Sequence, residues 1–166
     1  MSSISDLREL LAEIFEAFGA HPLGTDEIPI VRDDGGQSLE RETLRGEFNG
    51  LTWYSLIVHH RKFDPNFESI WFLTTQALAE ALPSYLCACL IWPQVNVDGV
   101  IRSLLGNAQH THSIFVYLHD HFSPKQRIAI KRFLHFVIAD DALWSENAFG
   151  VDRQSAQLKV DALWSN

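Results

Sequence analysis

The chain has 166 residues, about the size of one domain, and its 46% apolar and 20% charged residues are typical of a globular protein and exclude wholesale disorder. The net charge of −8 is concentrated in residues 1–50, where eleven Asp and Glu stand against four Arg, so this third disfavours nucleic acid as a partner. Residues 1–9 have no basic region followed by an apolar stretch, so we expect no secretion signal, and the apolar stretch between Pro83 and Pro93 is shorter than the roughly 20 residues that span a bilayer. We therefore expect one globular domain over residues 1–166, in the cytoplasm, with no membrane or nucleic-acid partner.

The first predicted element is an amphipathic helix over residues 4–18. Gly19 is its predicted stop, and Ser3 with Asp6 resembles a capping box at its start. Acidic residues occupy the other face. The apolar residues recur every three or four positions: Ile4, Leu7, Leu10, Leu11, Ile14, Phe15 and Phe18.

An acidic, irregular segment follows over residues 20–37, where prolines, glycines and the lack of a helical period favour a loop. A short helix is predicted over residues 38–48. An acidic surface suits a basic partner protein through electrostatic complementarity, although it also serves as a solvated face. The candidate partner-binding residues in the loop are Asp26, Glu27, Asp33 and Asp34.

Two helices are predicted in the middle of the chain. Thr52 can cap a helix over residues 53–60, and a longer helix begins at Thr74 or Thr75 and ends before Pro93. Pro83 lies inside the longer helix, where proline removes a hydrogen bond and should kink or split it. Cys87 and Cys89 lie in its apolar run, which indicates two small buried hydrophobic residues. Asn96 or Asp98 can cap a further helix that ends near Gly106.

The last third contains a strong helix start. Ser123 is a predicted cap, followed by proline at the first helical position and glutamine at the third, and the helix should run to about Ala139. Its basic residues form either a solvated face or pairs with the acidic N-terminal third: Lys125, Arg127, Lys131 and Arg132. The pentapeptide Asp-Ala-Leu-Trp-Ser occurs at 141–145 and again at 161–165, where it should dock a final helix, residues 152–163, onto the body.

Two stretches follow recognisable patterns. The first pattern is F-L-T, then an alanine, then L-P-A-Y-L. It matches Phe72-Leu73-Thr74, Ala77 and Leu82–Leu86, except that Ser84 replaces the alanine of the last part. Residues 122–134 follow F-(S/T)-x-x-Q-x-x-A-I-x-x-F-L. Both patterns resemble those of a family of small bacterial proteins known only as a domain of unknown function. The resemblance covers about residues 50–145 and implies no activity. The motifs themselves are explained by helix entries, a proline kink and a cap.

Four histidines are the candidate metal ligands: His110, His112, His119 and His121. They form two His-x-His pairs, and alternate residues on a strand share one face, so each pair could offer two nitrogens to zinc or another transition metal. Residues 113–119 fit either a short strand or a helical turn. In a helix each pair would separate by about 200°, and then the histidines are surface residues.

The sequence contains neither a phosphate-binding glycine loop nor a nucleophile elbow. We therefore predict a mainly α fold, an irregular bundle of five or six helices with a possible strand near 113–119. The predicted function is a non-enzymatic cytoplasmic protein-binding module without a cofactor, such as an acidic inhibitor of a basic partner, as immunity proteins are. The alternative is a small metal-dependent enzyme that uses the histidine segment 110–121.

Overall fold

The computed structural model of the chain describes residues 4–19, 50–58, 73–92, 98–106 and 118–165. This part of the chain is an irregular bundle of helices, which confirms the predicted fold class. Six of its seven α-helices are longer than one turn. Their bounds are Ile4–Phe18 (α1), Trp53–Val58 (α2), Thr75–Ile91 (α3), Asp98–Leu104 (α4), Pro124–Ala139 (α5), Glu146–Phe149 (α6) and Arg153–Leu163 (α7), with a 3₁₀ turn at His119–His121.

Helix α3 forms the centre of the bundle. Every residue from Ala81 to Leu90 is buried, because this stretch is apolar on all sides and its neighbours enclose it. Helices α1 and α2 pack on α3, α5 packs on α1 and α7, and α4 packs on α6. The core thus joins both ends of the sequence around the middle helix.

Pro83 lies within α3, yet Thr75–Ile91 is one continuous helix. Of the two effects predicted for Pro83, a kink or a split, the split is therefore wrong. Proline has no N–H and leaves the carbonyl of Ala79 without its helical donor. The burial of the whole stretch explains why the helix continues, since packing supplies more stabilisation than one hydrogen bond removes.

The predicted caps Thr74 and Ser123 and the predicted stop Gly19 are confirmed, whereas Asp98, a predicted cap, is the first residue of α4. Thr74 Oγ1 accepts a hydrogen bond from the N–H of Ala77 at 3.2 Å and caps α3. Ser123 and Gln126 form both hydrogen bonds of a capping box, at 3.3 and 2.8 Å. Gly19 ends α1 with a φ of 62°, a conformation that glycine adopts without strain.

The apolar residues of α1 do not all face the core. Leu10, Ile14 and Phe18 are buried, whereas Ile4 is 73% and Phe15 is 48% exposed. The bundle covers only a narrow band of the helix. The edge that carries Ile4 and Phe15 remains at the surface.

The repeated pentapeptide has two different environments. Trp164 is 1% exposed, and its Nε1 donates to the carbonyl of Leu104 at 3.1 Å, so the second copy docks the end of α7 on α4 as predicted. Trp144, in the first copy, is half-buried and packs on Phe149 with ring centroids 4.9 Å apart. The identical sequence therefore does not mark a structural repeat.

Several predicted features lie outside the described residues, among them the loop at 20–37, the helix at 38–48 and most of the segment at 113–119. Of the segment 113–119, the structure describes only Leu118, which lies in a turn, and His119, which begins the 3₁₀ helix. These two residues agree with the predicted helical turn and not with the predicted strand. Cys87 and Cys89 are free and buried, which confirms their interpretation as small hydrophobic residues. None of the helices that the structure describes is long and apolar enough to cross a membrane.

Candidate functional site

The most distinctive surface feature is a pair of exposed aromatic side chains, Phe15 and Tyr54, which we call the aromatic patch. Phe15 lies in the last turn of α1 and Tyr54 in the first turn of α2, with ring centroids 6.5 Å apart. Phe15 is 48% and Tyr54 38% exposed. Two large apolar rings in contact at the surface differ from the single exposed hydrophobic residues that are common on proteins.

A buried tryptophan supports the patch from beneath. Trp53 is 2% exposed, and its ring lies 4.5 Å from that of Phe15 and 6.1 Å from that of Tyr54, measured between centroids. The Trp53 Nε1 donates to the carbonyl of Gly19 at 2.6 Å. Thr52 Oγ1 accepts from the N–H of Ser55 at 3.3 Å and caps α2. The end of α1 and the start of α2 are therefore locked together, which holds the two exposed rings in place.

Gly19 and Gly50 lie four positions in the sequence from Phe15 and Tyr54, and residues 20–49 connect them. Residues 20–49 contain seven Asp and Glu against three Arg, a balance of −4. The predicted partner-binding residues Asp26, Glu27, Asp33 and Asp34 belong to this segment and lie outside the described residues. They stay a prediction.

Two of the four acids of α1 are used inside the molecule. Glu16 accepts a hydrogen bond from Nζ of Lys125 at 2.5 Å, and Glu13 accepts one from Nη1 of Arg132. The hydrogen bond from Lys125, together with its charge, lowers the pKa of the Glu16 carboxyl. The predicted pairing between the basic helix and the acidic N-terminal third is thus confirmed for these two residues.

The remaining basic residues of α5 have other partners. Lys131 Nζ lies 3.1 Å from the carboxylate of Asp161 on α7, and Arg127 Nη1 donates to the carbonyl of Phe122 at 3.2 Å. The hydrogen bond from Lys131, followed by one from Gln157, lowers the pKa of Asp161. Helix α5 is therefore held between two acidic neighbours and is not simply a solvated basic face.

The structure describes two of the four candidate metal ligands. His119 Nδ1 lies 3.1 Å from Oδ1 of Asp120, and its ring packs 5.4 Å from that of Trp164. His121 is exposed and borders a cavity next to Phe122. The 3₁₀ turn thus gives the two rings different surroundings, whereas a strand would have placed them side by side.

Among the described residues, no group of three His, Cys, Asp or Glu side chains could hold a metal ion. His110 and His112 lie outside the described residues, so the four-histidine site stays a prediction. The cysteine pair offers no alternative chemistry. Burial raises the pKa of the Cys87 thiol to about 12, far from the value that a nucleophilic or metal-binding thiolate needs at neutral pH.

No protein-family model matches this chain, and neither a curated protein nor a solved structure matches it. The resemblance to a bacterial family of unknown function therefore stays a prediction that rests on the two motifs. Function has to be inferred from the surface itself, where the aromatic patch is the clearest candidate. Sequence periodicity assigned Phe15 to the apolar stripe of α1 and gave no sign that it would face outward.

Proposed function

We propose that the chain is a non-enzymatic, cytoplasmic protein-binding module that contacts a basic partner protein through the aromatic patch and the acidic segment beside it. The observation that carries this proposal is the exposed contact between Phe15 and Tyr54, supported by Trp53. Aromatic side chains are enriched at protein interfaces, and tyrosine is among the residues that contribute most binding energy there.

The rigidity of the patch favours binding. The Trp53 indole holds the end of α1 against the start of α2 through its hydrogen bond to Gly19. Less side-chain and backbone freedom is then lost when a partner docks, and a preorganised surface binds more tightly for the same contact area.

Charge supports a basic partner. Residues 20–49, which join the two helices of the patch in the sequence, carry a balance of −4. Opposite charges on the module and its partner accelerate association, and the negative charge of the module repels acidic proteins. The aromatic rings supply the apolar contact. An inhibitor that covers a basic active surface, as an immunity protein does, is the specific form of this function that fits an acidic module.

The proposal is tested with three versions of the protein as bait in a lysate of its source organism: wild type, a Phe15→Ser/Tyr54→Ser variant and an Ile128→Ser/Leu158→Ser control. Ile128 and Leu158 are also exposed apolar residues, but they lie on α5 and α7. We expect a basic protein to be retained by wild type and control and lost by the patch variant.

Calorimetry with the purified partner then gives the affinity. Replacing two central aromatic residues should weaken binding by at least about 100-fold, and added salt should weaken wild-type binding. Capture that the patch variant retains in full, or a partner that is acidic, would contradict the proposal. Circular dichroism of all three proteins verifies that the exposed substitutions leave the helices intact.

A further inference from the structure

A cavity of about 460 Å³ opens on the side of the bundle where five elements meet. The end of α1, the start of α2, the first turns of α3, the 3₁₀ turn and the start of α5 all contribute to its wall. Its volume lies in the range of small-molecule sites, which is about 300–1,000 Å³. Neither Phe15 nor Tyr54 belongs to the wall, but Trp53, which supports them, does, so the cavity lies behind the aromatic patch and is separate from its two exposed rings.

The wall combines aromatic rings with hydrogen-bond acceptors. Phe18, Trp53 and Phe122 provide the apolar part, and each belongs to a different element. Glu80 is the single acidic side chain among the described residues of the wall, and no Lys or Arg is among them. His121 also lines the wall, and the three rings are at most 6% exposed, so the Glu80 carboxylate is the group that favours a cation over an anion.

Glu80 has one satisfied and one unsatisfied oxygen. Its Oε1 accepts a hydrogen bond from Nε2 of Gln76 at 3.0 Å. Its Oε2 is shielded from solvent and has no hydrogen-bond partner among the described residues. A carboxylate oxygen without a donor is unfavourable, and rotation of the Glu80 side chain toward the cavity would let a ligand N–H supply one.

We propose that this cavity binds a small organic cation, an ammonium group on an apolar body. The ammonium pairs with the Glu80 carboxylate, and the apolar body lies in the part of the cavity that Phe18, Trp53 and Phe122 border. The carboxylate supplies the counter-charge.

The probe is phenethylammonium, with 2-phenylethanol as the neutral and 3-phenylpropionate as the anionic compound of similar shape. The readout is the NMR signal of the Trp53 indole N–H during titration of the full chain. We expect phenethylammonium to give a saturable shift with a dissociation constant of about 1 mM or tighter. The alcohol should bind about tenfold more weakly, and the carboxylate should not bind.

Glu80→Gln keeps the shape of the side chain and removes its charge, so phenethylammonium binding should weaken by about tenfold. Glu9→Gln is the matched control, because Glu9 is an exposed carboxylate of α1 that does not line the cavity. Gln76→Lys gives a second test that does not disturb the fold, since it puts a fixed ammonium one helical turn from Glu80. This substitution should also weaken binding.

The proposal is overturned if phenethylammonium causes no saturable shift of the Trp53 signal. It is equally overturned if the alcohol binds as tightly as the ammonium, or if both Glu80→Gln and Gln76→Lys leave the affinity unchanged. A shift lost in Glu80→Gln and Gln76→Lys but retained in Glu9→Gln supports it.

Discussion

Lys125, in the first turn of α5, donates from Nζ to Oε1 of Glu16, near the end of α1, at 2.5 Å. The two residues are 109 positions apart in the sequence. Together with the pair formed by Arg132 and Glu13, this contact aligns α1 along α5. Both pairs are at least partly solvent-exposed, so we expect them to set the alignment of the helices more than the total stability.

The Glu16–Lys125 pair predicts a pH dependence of stability. Lys125 lowers the pKa of Glu16 in the folded chain below its ordinary value of 4.5, so the stabilisation is fully present above that value and is lost as the pH falls through the lower folded pKa. The difference in unfolding free energy between wild type and Glu16→Gln should be constant near neutral pH and shrink in acid. Urea denaturation across this range measures it. In a Lys125→Gln background the difference should be absent at every pH, and its persistence there would contradict the assignment.

The two copies of the repeated pentapeptide predict unequal effects of the same substitution. Trp164→Phe removes the hydrogen bond to Leu104 and leaves space in the core, and should lower the unfolding free energy by about 1–3 kcal/mol. Trp144→Phe, in the same local sequence, should change it by less than about 1 kcal/mol, because Trp144 is half-buried and its Nε1 has no partner among the described residues. If urea denaturation shows that both variants lose the same unfolding free energy, Trp164 is not the residue that docks α7.

The capping box at the start of α5 predicts a cost for losing one hydroxyl. Ser123→Ala removes the acceptor for the N–H of Gln126 and should destabilise the fold by about 1 kcal/mol. Ser5→Ala is the matched control, because Ser5 is exposed within α1, where alanine is the better helix former. Thermal unfolding should therefore show a lower midpoint for Ser123→Ala and an unchanged or higher one for Ser5→Ala.

The two cysteines should be inert in the folded state. Burial raises the pKa of Cys87 to about 12, and burial together with the negative charge of Asp98 raises that of Cys89 to about 12. At a pH of about 8 neither thiol forms the thiolate that alkylating reagents need. Iodoacetamide should leave the native chain unmodified and label both thiols in urea, as mass spectrometry would show. Rapid labelling of native protein would mean that α3 opens locally.

The positions of α1, α3, α5 and α7 were predictable from the sequence because their signals are local, whereas the short helix α6 was not predicted. The bounds of α1 follow from residues three and four apart and from Gly19, and the start of α5 follows from Ser123, Pro124 and Gln126. Each signal acts within one or two turns of chain. A single sequence is sufficient to recognise it.

The candidate sites were not predictable because they depend on tertiary packing. Phe15 and Ile4 belong to the apolar stripe of α1, and nothing in their spacing shows that the bundle leaves them exposed. The cavity that Glu80 borders is formed by five elements, and the local sequence of one element does not predict how the five are arranged. The four histidines suggested chemistry by spacing alone, yet the 3₁₀ turn separates the surroundings of His119 and His121.

The packing of α1 on α5 has a consequence for the chain during its synthesis. A ribosome adds about 5–20 residues per second, so the 109 positions between Glu16 and Lys125 take roughly 5–20 s to appear. Throughout that interval the surface of α1 that α5 will cover has no partner. A nascent chain stopped before residue 124 would present α1 as an acidic helix with an apolar edge and without its basic partners. Chaperones bind such surfaces, and the completed α5 would cover this one.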